Sequence, residues 1–149
     1  EYVCGSAEVI GLLCLSAFYS GRPYPPELDD GARRLGAAFQ KINFLRDLHE
    51  DTTELGRAYF PTVPDPARLT EPQKQELIAD IRADLKVARA ATARLPRGSR
   101  AGVAAATALF SELTGRLAAT PAADLARTRV SVPPGRKAFL VSRAAVEAL

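Results

Sequence analysis

Apolar and polar residues follow a helical repeat along most of the chain, and no stretch alternates between them as a half-buried strand does. The first 20 residues are mostly apolar, and Gly21 with the prolines that follow it ends this pattern. Asp29 or Asp30 can cap a second, long helix, which the pattern extends to Leu55. The first third of the chain therefore predicts two helices.

The rest of the chain predicts further helices joined by short connections. Residues 57–69 carry three prolines and predict an extended segment. Thr70 and Gln73 have the spacing of a capping box, which opens a third helix. The predicted elements are a third helix to about Leu95, a fourth from Ser99 to about Ala119, a short turn after Pro121, and a last helix from about Arg136. The sequence thus predicts an all-α protein, an antiparallel helical bundle.

Composition and charge limit the classes of ligand and partner that this bundle is expected to bind. Of the 149 residues, 47% are hydrophobic and 25% are charged, as in a soluble globular protein. The net charge of +3 suits polyanionic ligands or an anionic membrane surface. The basic residues are scattered rather than clustered with aromatic residues, which argues against nucleic acid. The longest apolar stretch, residues 9–19, is shorter than the roughly 20 residues that span a bilayer.

The two cysteines, Cys4 and Cys14, are ten residues apart on the first helix. A rise of about 15 Å separates them, which is too far for a disulfide. We expect both to be small buried apolar residues of a cytoplasmic protein. Because the helical pattern is under way at residue 1 and no methionine occurs, we also expect the chain to be part of a longer polypeptide.

One face of the second helix carries a polar stripe. On a helical wheel, five polar residues fall within a sector of about 80°. These residues are Gln40, Asn43, Asp47, Asp51 and Glu54. Asp47 and Asp51 are one turn apart, which places their carboxylates about 6 Å from each other. Mg²⁺ prefers oxygen ligands and bridges carboxylates to phosphates, and Asn43 adds a neutral oxygen, so the stripe predicts a magnesium site.

Two arginines flank the stripe. Arg46 lies at its edge and Arg57 follows the end of the helix, so the pair can make bidentate contacts to a diphosphate. The alternative is a surface ion pair with Glu50 or Glu54. His49, the one histidine, points away from the stripe and is not expected to bind metal. An isolated Asp-x-x-x-Asp pair is more often a solvated helix face, but the longer pattern Gln-x-x-Asn-x-x-Arg-Asp-x-x-x-Asp is more specific.

Three segments resemble the squalene/phytoene synthase family. The strongest is A-F-Q-K-I-N-F-L-R-D-L-H-E-D at residues 38–51 with G-R-A-Y-F-P at residues 56–61, which resembles the family's second aspartate-rich motif. Residues 2–11, Y-V-C-G-S-A-E-V-I-G, are similar to the helix that lines the family's substrate tunnel. Residues 129–140, R-V-S-V-P-P-G-R-K-A-F-L, are similar to its C-terminal segment. The residues of the first motif look most like those of the same motif in bacterial phytoene synthases.

The resemblance implies a role for each matching residue. Asp47 and Asp51, with Asn43, would hold Mg²⁺, with Mn²⁺ as a substitute, against a prenyl diphosphate. Tyr2 would face carbocation intermediates. The remaining implied contacts are Gln40 in the same cavity, Arg46 and Arg57 on the diphosphate, and Ala7, Ile10, Gly11 and Cys14 in the apolar wall along the prenyl chain. Tyr59 fits a packing role equally well.

The implied reaction joins two geranylgeranyl diphosphates head to head, through a cyclopropyl intermediate, to phytoene without a nicotinamide cofactor. The alternatives are a C30 synthase that uses farnesyl diphosphate and, in a different class, a non-catalytic helical binding module. Glu8 stands where the family often has glycine, and it faces either solvent or the tunnel. The family's first aspartate-rich motif is absent, so we expect residues 1–149 to be the C-terminal part of one isoprenoid-synthase domain, inactive alone. Because these substrates carry long apolar chains, we also expect that the protein can associate peripherally with a membrane.

Overall fold

A computed structural model describes residues 2–54 and 68–147, with side chains for residues 5–48 and 68–147. Over these residues the chain forms six α-helices and no β-strand, which confirms the predicted all-α class. The helices are α1 (Tyr2–Phe18), α2 (Glu27–Glu54), α3 (Glu71–Thr92), α4 (Arg97–Ala119), α5 (Ala122–Leu125) and α6 (Pro134–Glu147). None of the helices in these ranges is both long enough and apolar enough to cross a bilayer.

The end of α1 lies close to its predicted position. The helix stops at Phe18, and the N–H of Gly21 donates to the carbonyl oxygen of Ser16 over 2.9 Å. Gly21 has a φ of 71°, which glycine adopts without steric cost, whereas Ser20 adopts a φ of 54° despite its side chain. This turn reverses the chain and brings α2 back along α1.

The predicted caps of α2 are wrong. The helix begins at Glu27, so Asp29 and Asp30 lie inside its first turn instead of before it. The carbonyl oxygens of Pro25 and Pro26 already accept hydrogen bonds from the first helical N–H groups, which starts the helix earlier than a side-chain cap would. Within the first turn, the two carboxylates still favour the positive end of the helix dipole.

The capping box of α3 is confirmed. The Thr70 hydroxyl accepts from the N–H of Gln73, and the Gln73 side chain accepts from the N–H of Thr70 over 3.0 Å. α3 ends three residues before its predicted end, and α4 and α6 each begin two residues before their predicted starts, whereas α4 ends at Ala119 as predicted. Such shifts are expected because helix ends depend on local capping.

The main core lies between α2, α3 and α4, closed at one end by α5. Its fully buried side chains include Ile42, Leu45 and Leu48 of α2, Ile78 and Ile81 of α3, Leu117 of α4 and Leu125 of α5. A polar contact adds to this packing, because the buried Asp84 of α3 accepts from Arg34 over 2.9 Å and from Lys41 over 2.8 Å. Lys41 also pairs with Asp80. These contacts fix the rotation of α2 against α3.

Two glycines allow α1 and α2 to touch through their backbones. A Cβ atom on Gly36 would lie 2.3 Å from the carbonyl oxygen of Ala7, and one on Gly11 would lie 2.4 Å from that of Ala32. Either position would clash, so glycine is required at both. The close approach holds α1 along the middle of α2.

Cys14 is exposed, although the sequence predicted it to be buried. Among the described helices, α1 packs mainly on α2, so much of its surface stays uncovered. The side chain of Cys4 lies outside the described residues.

Candidate functional site

An apolar cavity of about 210 Å³ lies between α1, α2, α3 and α4. The four α1 residues that the sequence assigned to an apolar wall all line it. They are Ala7, Ile10, Gly11 and Cys14. From α2 come Leu35, Gly36 and Phe39. Ile10 is 61% exposed, so it stands at the rim of the cavity.

A second cavity, of about 410 Å³, is basic. Arg46 of α2, Arg129 of the segment before α6, and Lys137 of α6 line it. Its apolar side is formed by Leu109, Phe110 and Leu113 of α4. Three cations around one opening suit a ligand with several negative charges.

A stacked aromatic pair stands between the two cavities. Phe39 lines the apolar cavity and Phe110 lines the basic one. Their ring centroids are 3.9 Å apart and their planes are inclined by 19°. The two cavities are therefore neighbours, separated by this ring pair, so an apolar surface lies next to a basic one.

Asp47 does not line the basic cavity itself, but it is held by two arginines that do. It accepts from Nε of Arg46 over 2.8 Å, and its second oxygen accepts from the same guanidinium. Nη2 of Arg129 lies 3.2 Å from Oδ1 of Asp47. Arg46 therefore pairs with its neighbour Asp47 in a geometry that the sequence did not predict. The side chains of Glu50 and Glu54, the alternative partners, lie outside the described residues.

Asn43 carries a buried oxygen that lacks a hydrogen bond. Its Oδ1 atom has no partner in the described part of the chain. An unpaired buried acceptor is costly unless something else satisfies it. Asn43 lies one turn before Asp47, so the pair offers an amide oxygen and a carboxylate, which are ligands that Mg²⁺ accepts.

The described residues supply only part of the predicted metal site. No group of three or more histidine, cysteine, aspartate or glutamate side chains comes together among them. Asp51 lies one turn beyond Asp47 on α2, but its side chain is outside the described set. The donor set that is described, Asn43 and Asp47, fits a divalent cation. Gln40 is half-buried, one turn before Asn43.

Several predicted residues fall outside the description. Arg57 and Tyr59 lie in the undescribed range 55–67, and the side chains of Tyr2 and His49 are not described. Glu8 is placed: its carboxylate lies 3.7 Å from the guanidinium of Arg33, and it does not line the apolar cavity. The acid that departs from the family pattern therefore faces an arginine of α2.

Sequence reasoning assigned no role to Arg129 or Lys137, which line the basic cavity. Both belong to the segment R-V-S-V-P-P-G-R-K, which resembles the family's C-terminal segment but carries no implied function for these two residues. The available signal was that this short segment carries three basic residues, Arg129, Arg136 and Lys137. Only the folded chain shows that it lies against α2.

The fold and this site define an all-helical protein with adjoining apolar and basic cavities. Residues 1–63 match the squalene/phytoene synthase family. The match includes α1, α2 and every site residue predicted from the sequence, and it supports the family that the motifs suggested. It ends before α3, so the resemblance of residues 129–140 stays a prediction. No curated protein and no solved structure matches the chain significantly.

Proposed function

We propose that this chain is the C-terminal part of a Mg²⁺-dependent prenyltransferase that joins two prenyl diphosphates head to head and releases diphosphate. One observation carries the proposal: α2 borders both cavities. Its middle, with Leu35 and Phe39, lines the apolar cavity, and two turns further on Arg46 lines the basic one beside Asp47. The family match over residues 1–63 supports the same reaction class.

The chemistry requires both cavities. When the bond between the allylic carbon and the diphosphate oxygen breaks, the electron pair leaves with the diphosphate and a carbocation remains. Arg46, Arg129 and Lys137 would stabilise the leaving charge through charge-assisted hydrogen bonds. The apolar wall around Ala7, Gly11 and Phe39 would keep water from the cation.

Asp47 and Asn43, with Asp51 one turn further along α2, would hold the metal. A bound Mg²⁺ would neutralise the diphosphate and act as a Lewis acid for its departure. Asp47 now accepts from two arginines, so these guanidinium groups would turn from the carboxylate toward the diphosphate when the metal binds. The arginines would thus pair with Asp47 in the metal-free protein and with the diphosphate in the metal-bound complex.

Within the family, we propose the phytoene reaction: two geranylgeranyl diphosphates, Mg²⁺ and no nicotinamide. The motif N-F-L-R-D with G-R-A-Y-F-P supports this choice. We also propose that the catalytic unit is a longer polypeptide that includes this chain, since the first aspartate-rich motif of the family is not within residues 1–149.

The test uses the complete polypeptide with Mg²⁺ and equal amounts of farnesyl and geranylgeranyl diphosphate, without NADPH. Products are identified by mass. A C40 hydrocarbon is the expected result. A C30 product would replace the phytoene reaction with that of a C30 synthase. Folded protein that yields no condensed product, with or without NADPH, would refute the proposal and favour a non-catalytic helical module.

A further inference from the structure

A third cavity, of about 500 Å³, lies between α3, α4 and α6 and shares no residue with the basic cavity at Arg46. Each helix contributes one arginine to it: Arg89, Arg100 and Arg143. Glu147 is the one acidic residue in its lining. The balance of charge therefore favours an anionic ligand.

The three arginines are held in place by contacts within the chain. Nη2 of Arg89 donates to the Ser111 hydroxyl over 2.6 Å, and Nε and Nη2 of Arg100 donate to the Leu95 carbonyl oxygen over 3.2 and 2.9 Å. Nε of Arg143 lies 3.3 Å from the Glu147 carboxylate. Positively charged groups that are already ordered lose less conformational entropy when an anion binds.

The other residues that line this cavity offer few polar groups that would pair with the three arginines in place of an anion. Much of it is alanine, and the hydroxyls of Thr92 and Thr107 donate to carbonyl oxygens of their own helices. Along α3 the basic surface continues, because a neighbouring groove shares Arg89 and adds Arg82 and Lys86. Guanidinium groups in this setting match the geometry of a phosphate.

The face of α6 that carries Arg143, a residue of this cavity, also carries exposed apolar side chains. Phe139 is 52% exposed and Val146 is 71% exposed. With Arg143 they follow the i, i+4, i+7 spacing of one helix face. The guanidinium groups of Arg136 and Arg143 lie 5.3 and 5.9 Å from the centroid of the Phe139 ring. Basic and apolar groups side by side on a surface helix are typical of interfacial membrane binding.

We propose that this face, formed by Arg89, Arg100, Arg143, Phe139 and Val146, docks onto an anionic lipid surface. A lipid phosphate would lie in the arginine cavity, while Phe139 and Val146 would enter the boundary between headgroups and acyl chains. Phe139 and Val146 favour a lipid over free phosphate, because free phosphate has no apolar part that could contact them. None of these residues lines the basic cavity at Asp47, so the inference stands apart from the proposed reaction.

The experiment is co-sedimentation of the complete purified polypeptide with vesicles. One set is phosphatidylcholine alone, and in the other about a third of the lipid is phosphatidylglycerol. We expect binding to the anionic vesicles, little binding to the neutral ones, and a marked loss at high salt. Arg143→Gln should weaken partitioning about fivefold, and Phe139→Ser should also weaken it several-fold, with Val146→Ser as a second apolar variant.

Matched controls lie elsewhere on the surface. Arg22→Gln removes one exposed positive charge from the connection between α1 and α2, and Leu13→Ser removes an exposed apolar side chain, 63% accessible, from α1. Both should bind vesicles as the unchanged chain does. Equal losses in the controls would mean that net charge or α1 governs binding, and would overturn the assignment.

Three other results would overturn it as well. One is no binding to anionic vesicles by folded chain. Another is that calorimetry detects binding of inorganic phosphate, that Arg143→Gln abolishes this binding, and that no vesicle binding occurs. This result would assign the cavity to free phosphate. The third is a dimer in gel filtration that Phe139→Ser dissociates, which would assign the face to a second copy. Asp47→Asn should leave vesicle binding unchanged, so failure here is separable from failure of the proposed reaction.

Discussion

Asp47 lies between two arginines that come from distant parts of the sequence. Arg46 precedes it on α2, whereas Arg129 comes from the segment between α5 and α6. The sequence alone predicted Asp47 as a metal ligand one turn from Asp51 and gave it no arginine partner. In the folded chain the charge of Asp47 is compensated, so a metal or a diphosphate would exchange partners with the arginines instead of filling an empty acidic site.

Arg129 tests this exchange. Arg129→Gln should weaken the binding of a prenyl diphosphate about tenfold, because one charge-assisted contact to the diphosphate is lost. The free energy of unfolding should fall by less than about 1 kcal/mol, since the ion pair is partly exposed. Titration calorimetry of the complete polypeptide measures the affinity.

The control is Arg127→Gln, which removes the same charge from an exposed position two residues earlier. It should leave the affinity for prenyl diphosphate unchanged. If both variants lost affinity equally, general charge would explain the effect and the specific role of Arg129 would be wrong.

Glu71 provides a pH-dependent contribution to stability. Its carboxylate accepts from Lys74 over 2.7 Å, from Gln75 over 2.8 Å and from the N–H of Ala122 over 3.0 Å. These contacts, led by that of Lys74, lower the pKa of Glu71 from 4.5 to about 2. A lowered pKa in the folded state stabilises the fold above the unfolded value, and this contribution is lost as the pH falls from 4.5 toward about 2.

Glu71→Gln should therefore lower Tm most at neutral pH. The difference in Tm from the unchanged chain should narrow as the pH falls through this window, as measured by circular dichroism. Glu76→Gln, at an exposed position of the same helix, should have the smaller effect at neutral pH. A Glu71→Gln effect that stayed constant down to about pH 2 would contradict the linkage.

At the scale of the elements, the contact between α1 and α2 shapes the apolar cavity. Gly11 and Gly36 line it and also let the two helix backbones touch. The sequence identified Gly11 as part of an apolar wall, which is consistent with its position. It gave no role to Gly36, because nothing along a single helix shows which backbone it will meet.

Gly36→Ala should push α1 away from α2. Its Cβ would lie 2.3 Å from a backbone oxygen, and backbone cannot move aside as a flexible side chain can. We expect a loss of about 1–3 kcal/mol in the free energy of unfolding. Denaturant titration measures this loss.

The matched control is Gly102→Ala in α4, where an added Cβ meets nothing within 4 Å. That change should be neutral or should stabilise the chain by about 0.5–1 kcal/mol, because alanine favours a helix. Two variants of equal stability would contradict the close packing of α1 on α2.

Local signals explain which elements the sequence predicted well. The capping box of Thr70 and the stop near Gly21 depend on neighbouring residues, and both were predictable. The start of α2 was missed because backbone carbonyls of Pro25 and Pro26 replaced the expected side-chain cap. Cys14 was predicted to be buried from its residue type, but exposure depends on what packs beside it.

At the scale of the whole molecule, α2 joins the two cavities, and residues far apart in sequence complete them. Val103 and Ala106 of α4 reach the apolar cavity, and Phe110 stacks on Phe39. The α2 stripe was visible as a helical period, so half of the candidate site could be found from the sequence. The other half, with Arg129 and Lys137, depends on tertiary packing that no local pattern encodes.

We propose that the polar stripe on α2 drives the ionisation of a prenyl diphosphate. The most direct test is diphosphate release by the complete polypeptide with Mg²⁺ and geranylgeranyl diphosphate, comparing Asp47→Asn with Asp30→Asn. Asp30 is an exposed residue of the same helix that pairs with Arg34, so its variant removes an equal charge far from the site. We predict that Asp47→Asn loses at least about a hundredfold in rate with little change in Tm, while Asp30→Asn keeps its activity. Equal activity of the two variants would contradict the account.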